Sequence, residues 1–230
     1  MVTAPLEDRI GCRSRVRCGA EGGFTLVELL IAVAITSAIL GGTVMLASQI
    51  QRVYSTQLDD TAAEQEVRFA LDWIAQTLRN AGTNPYTVTV SSCPSAGTVF
   101  QAIRMDPDGN GEDDDIRVQA DIGPPNGLLG GLAGTCTEPD EDITIAHDPD
   151  SFVITRQDNN IDDDPVEMTE PVIGGLTFTY LTSGHAATAD PDLVTYVRVD
   201  ITARSQAQNS TLMGEGAGYA LSTEVRLRTR

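Results

Sequence analysis

The chain has 230 residues, 41% of them hydrophobic and 21% charged, the balance of a folded protein rather than a disordered one. Its formal net charge is −18 and its 15 basic residues are all arginine, so it repels phosphate backbones and direct nucleic-acid binding is not expected. Acidity of this degree fits a solvated surface or the binding of cations.

In chain order, residues 1–23 carry Arg9, Arg13, Arg15 and Arg17, and the apolar run 24–47 follows with Glu28 as its single formal charge. About 20 apolar residues suffice to cross a bilayer as a helix. Arginines on one flank of a first span hold that flank in the cytoplasm, which places the rest of the chain across the membrane. A secretory signal peptide is the rival reading. Its cut would follow the run, where Ala32, Ala34, Ala38, Gly41, Gly42 and Ala47 offer small residues. The run is longer than a signal core of about 7–15 residues, and a helical pattern continues through its end.

That pattern predicts a helix continuing to Asn80. Val67, Ala70, Leu71, Ile74 and Leu78 draw one stripe expected to pack against a sheet, with Phe69 and Trp73 beside it as an i, i+4 pair. Asn80-Ala81-Gly82 is the stop, with Arg79 in the last turn and Pro85 beyond. A helix over 24–80 is ~85 Å long at 1.5 Å per residue, weakened at Gly41-Gly42 by about 1 kcal/mol per glycine. Beyond Gly82, strands are expected at 86–90, 98–105, 115–120, 142–146, 152–156, 176–181, 193–203 and 219–228, with Asp148-Pro149-Asp150 as a tight turn. The reading is an α+β protein with a membrane-spanning helix at 24–48, an amphipathic spine at 49–82 and one β-rich head at 83–230.

The string Gly22-Gly23-Phe24-Thr25-Leu26-Val27-Glu28-Leu29-Leu30 resembles the cleavage and methylation motif of type IV prepilins and type II secretion pseudopilins. The resemblance implies a type IV pilin-like fold, a long N-terminal helix packed against an antiparallel sheet-rich periplasmic head. It also implies that a prepilin peptidase cuts between Gly23 and Phe24, removing leader 1–23 and leaving Phe24 as an N-methylated first residue. Glu28 then stands fifth in the mature chain and pairs with the amine of a neighbouring subunit's first residue. Physics marks Glu28 independently, because a carboxylate in a membrane helix costs roughly 2.5–3.5 kcal/mol on insertion scales; snorkelling to the interface is its alternative use. The leader is longer than most of the family's, and Glu21 stands where basic residues are more common; a start downstream of Met1 or slow cleavage would account for this. Residues 67–82, Ile173–Tyr180 and Val197–Ile201 resemble PilW-like minor pilins, and the J-type pseudopilin is similar in the same places.

Cys12 and Cys18 fall in the leader, in no metal-binding spacing. Cys93 and Cys136 then remain as an even pair in an oxidising compartment, where a disulfide is expected and free thiols are the alternative. In the chain-entropy model the bond stabilises by roughly 3–4 kcal/mol. The run Asp106-Pro107-Asp108-Gly109-Asn110-Gly111 opens like an EF-hand-type calcium loop. Asp106, Asp108 and Asn110 are candidate ligands for Ca2+, with Asp114 or Asp115 closing the shell. Arg117 stands where the bidentate glutamate belongs, and a solvated acidic hairpin is the competing reading. Residues 158–164 form a second acidic loop with poorer spacing. No cofactor is required by any motif.

Catalysis finds no support, since His147 and His185 are isolated and no nucleophile motif surrounds them. The reading is a structural subunit: a minor pilin of PilW type near a pilus tip, priming filament assembly with other minor pilins and the major pilin. It would be held first in the bacterial inner membrane and then in a surface pilus or periplasmic pseudopilus. The alternatives are a J-type pseudopilin of type II secretion, a tip-displayed adhesin head, and an anchored periplasmic β-domain without assembly function.

Overall fold

The computed structural model describes residues 23–93, 98–132, 134–162, 164–204 and 219–228. Leader residues Arg9, Arg13, Arg15, Arg17, Cys12, Cys18 and Gly22, together with Asp163 of the second acidic loop, lie outside them. The chain divides into two compact units, Met1–Arg52 and Val53–Arg230.

Helix α1 spans Leu26–Asn80, two residues later at its start than the sequence pattern predicts. The reason is a cap: Thr25 Oγ1 accepts a hydrogen bond from the Glu28 N–H at 3.2 Å, satisfying a donor that has no intrahelical partner. In the first unit the described side chains are all exposed, Leu26, Leu29, Ile35, Leu40 and Ile50 among them. A helix apolar around its circumference and bare of packing is built for lipid or for neighbouring helices.

The second unit contains the folded head. Strands β1 (Ile103–Met105), β2 (Asp115–Gln119), β3 (Asp142–Asp148), β4 (Val153–Asp158) and β5 (Val166–Glu167) form one antiparallel sheet in sequence order. Strands β6 (Ile173–Leu181), β7 (Tyr196–Ala203) and β8 (Ala220–Arg226) form a second. One core unites the helix stripe with both sheets. Val67, Ala70, Leu71, Ile74 and Leu78 cluster with Ile116, Ile143 and Ile145 of the first sheet and Phe178, Val199 and Ile201 of the second. In β7 the apolar face is Val197, Val199, Ile201 and Ala203, all buried. Phe69 remains 53% exposed, whereas Trp73 packs partly against the core.

Several expected strands are corrected. Residues 86–90 form no strand: only Val90 makes a bridge, to Val99. The Asn84 side chain accepts from Val88 N–H at 2.6 Å and donates to Val88 O at 3.0 Å, a local loop that competes with ladder pairing. Likewise 98–102 lies outside the sheet, and Gln101 N–H donates to the Gln119 side chain at 2.9 Å instead. Residues Pro191–Leu193 form a short 3-10 turn capped by Asp190, so β7 begins at Tyr196 rather than Leu193. Strand β5 is two residues long, too short to leave an alternating pattern.

Helix α1 stops as predicted. Gly82 has φ +75, and a Cβ there would lie 2.9 Å from Ala102 Cβ and 3.2 Å from Arg228 O. Gly82→Ala is therefore expected to lower head stability by about 2–3 kcal/mol, combining left-handed strain with overpacking. A urea titration of the detergent-extracted chain reads this directly, and an unchanged midpoint would refute the close approach.

The described residues of the long connection from β2 to β3 form no strand, so its inward N–H groups need partners. Two fully buried carboxylates supply them. Glu141 accepts from Ile122 N–H (3.0 Å), Gly123 N–H (3.1 Å) and Gly130 N–H (2.7 Å). Asp121 accepts from Asn126 N–H (3.0 Å) and Gly127 N–H (2.9 Å). Burial lifts Glu141 above its ordinary pKa despite those donors, and burial does the same for Asp158. The folded head thus holds these protons more tightly than the unfolded chain. Stability should rise as pH falls from neutral toward the ordinary carboxylate range, and the gain should shrink in Glu141→Gln. Hydrogen bonds from Ser151 and Asp150 hold Asp148 below its ordinary range, so its contribution is lost only at lower pH. Urea midpoints across this range, in chelator, test the sign.

Candidate functional site

Two regions carry the residues singled out by the sequence. The first is the N-terminal end of α1. Gly23, Phe24 and Thr25 precede the helix, and Phe24 is 85% exposed. Glu28 sits in the first turn with its N–H on the Thr25 hydroxyl. Sequence reasoning overlooked Thr25, although Thr-x-x-Glu before an apolar run is the signature of a capping box. A carboxylate in the first turn also faces the positive end of the helix dipole. An exposed Gly23–Phe24 bond outside the helix and ahead of its cap is one a peptidase can reach.

Residues 19–44 match the family described as the prokaryotic N-terminal methylation motif. The match joins a prepilin-type processing signal to a helix long and apolar enough to cross a membrane, followed by antiparallel sheets packed on its second half. This is a prepilin-type signal on a pilin-like arrangement. No curated protein and no solved structure matches it. Type IV pilin-like proteins are structural subunits, and the motif implies processing by a prepilin peptidase and assembly with other pilins. The motif and the apolar helix fit a protein anchored in the inner membrane.

The second region is on the pilin-like head. Cys93 and Cys136 form a disulfide with Cα atoms 5.4 Å apart, across a sequence separation of 43. It pins the β2–β3 connection that Glu141 and Asp121 hold from within. The β1–β2 turn gathers Asp106, Asp108 and Asp115, whose nearest carboxylate oxygens lie within 4.8 Å of one another. Asp114 stands outside that group. Asn110 turns its carbonyl to the Glu112 N–H at 2.6 Å and its amide to Asp108 Oδ2 at 2.9 Å. Burial, with Asp108, Asp114 and Asp106 nearby, pushes the Asp115 carboxyl up to about 6.

The second acidic loop differs. Arg156 pairs with Asp140 and approaches Asp158 at 3.6 Å and Asp162 at 3.7 Å, so a guanidinium neutralises it from within. The two histidines stay apart. His147 Nε2 lies 3.4 Å from Ile173 O, while His185 contacts Glu224 at 2.8 Å and stacks on Tyr196.

Proposed function

We infer that this type IV pilin-like chain is a minor pilin of PilW type, which primes filament assembly and sits near the pilus tip. The observation that carries the reading is the methylation motif at residues 19–44, running directly into an exposed apolar helix. Such a surface needs cover in every state, by lipid before assembly and by other subunits' helices afterwards. The PilW resemblance of the spine and of the β6 and β7 segments supports the minor-pilin assignment. A J-type pseudopilin, similar at the same positions, is the competing subtype.

Glu28 guides docking in this reading. One carboxylate in an apolar helix is best neutralised by a cation at the same depth, and the methylated amine of the adjoining subunit supplies it. The Cys93–Cys136 bond stiffens the head that makes lateral contacts.

Intact-mass analysis of the membrane-extracted protein, with and without reductant, tests the processing. The expected species begins at N-methylated Phe24 and gains two hydrogens on reduction. A full-length chain in cells with an active prepilin peptidase would overturn the reading. Recovery of the mature chain in sheared surface pili supports the minor pilin, whereas confinement to a secretion filament supports the J-type subunit.

A further inference from the structure

Asp106, Asp108 and Asp115 bring three carboxylates together in the β1–β2 turn. Asp115 is only 2% exposed. Its Oδ2 accepts from Asp108 N–H at 3.2 Å, but its Oδ1 is buried without any hydrogen-bond partner among the described residues. Asp106 is similar: Oδ2 accepts from Gly111 N–H at 3.0 Å, and Oδ1 is buried and unpartnered. A buried carboxylate oxygen without a donor is costly, and such groups are paired or bound to a metal. Asp114 Oδ1, in the same turn, is likewise buried and unpartnered, whereas among the described residues the other buried acids have partners: Asp142 has Arg117, Asp158 has Arg156, and Asp121 and Glu141 have backbone N–H groups. Among the described residues no arginine forms an ion pair with Asp106, Asp108 or Asp115.

We propose that Asp106, Asp108 and Asp115 bind a calcium ion, completed by water and by backbone or side-chain oxygens of the same turn. Oxygens bound to one calcium at 2.3–2.6 Å are at most about 5 Å apart, and the three carboxylates already meet that limit at 4.8 Å. The donor set is oxygen throughout, which suits a hard cation rather than zinc. The turn also stands at a junction of the two sheets. Asp113 O accepts from Phe178 N–H at 2.7 Å, and Asp114 O accepts from His147 N–H at 3.2 Å. Tyr180 Oη reaches Asp115 O at 3.5 Å. An ion here fastens β1–β2 against β6 and cancels the mutual repulsion of the acids. This proposal does not depend on the pilus reading.

The test is calorimetric titration of the chelator-stripped, detergent-extracted full chain with calcium chloride, then with magnesium chloride. Terbium luminescence gives a second readout, because the Tyr180 ring adjoins the site and can sensitise the ion. The expected result is saturable binding of a single calcium, preferred over magnesium, with a raised melting temperature. Asp108→Asn, at an exposed position, should weaken calcium by about tenfold or more. Asp106→Asn should do the same without backbone strain, since Asp106 has φ 44 and asparagine tolerates that region. Tyr180→Phe should dim the terbium signal while leaving calcium affinity in place. Absence of saturable calcium binding, equal affinity for magnesium, or unchanged affinity in both aspartate variants would overturn the proposal.

Discussion

Glu28→Ala is expected to yield a chain that inserts and is cleaved normally but is absent from assembled filaments. Removing the carboxylate takes away an insertion cost of roughly 2.5–3.5 kcal/mol, so membrane recovery should hold or improve. Under the proposed docking role, what the variant loses is the charge that would meet a neighbour's terminal amine. Insertion and assembly therefore respond in opposite directions, which a general folding defect cannot imitate. The comparison is made between membrane and sheared-filament fractions, and wild-type recovery in filaments would dismiss the docking role. Glu28→Gln should fail in the same way, because it keeps the shape and discards the charge.

Arg117→Met is expected to cost about 3–5 kcal/mol of head stability, the usual penalty for leaving a buried ion without its partner. Asp142 is fully buried, and Arg117 bonds both its oxygens, at 2.6 Å through Nε and 2.5 Å through a terminal nitrogen. Gln119 and Asn159 also donate to that carboxylate, at 3.0 Å and 3.1 Å, and cannot supply the missing charge. Adding Asp142→Leu should recover most of the loss, since paired replacement of a buried ion pair by apolar residues is often near neutral. Urea unfolding of both variants gives the answer. A double variant no better than Arg117→Met would show that the polar network, rather than the ion pair, holds this strand pair.

The helix and its stripe were readable because a period of 3.6 survives over many turns and because Gly82 ends it. The longer strands were readable where apolar residues alternate, as at Val197, Val199 and Ile201. What escaped was decided by single side chains. Asn84 closes on Val88 and removes 86–90 from any ladder, and Asp190 with Pro191 converts a strand start into a 3-10 turn. The acidity shows the same limit. Its sum reads as a solvated surface, yet Glu141, Asp121, Asp142 and Asp158 are buried and serve as acceptors for backbone or arginine donors. Composition carries no record of which carboxylate faces inward. Of the N-terminal site, Gly23, Phe24 and Glu28 were legible from the motif, while the Thr25 cap was present in the pattern and unremarked. Of the acidic turn, the run of carboxylates was legible, but the fold alone groups Asp115, and not Asp114, with Asp106 and Asp108.

The core that joins Ala63–Leu78 of the helix to Val225 and Leu227 also sets a timetable. The apolar helix leaves the ribosome early, while its packing partners in β8 are made about 160 residues later, and contacts so distant in sequence form slowly. The anchor can thus be seated in the bilayer while the head is still an open chain awaiting its closing strand. An anchor seated in this order would precede the folding of the head, with the spine's stripe uncovered until β8 is made. A stalled or clipped product lacking β8 would be a tethered, unfinished head with apolar surface on display, the kind of species a cell's envelope proteases are placed to remove.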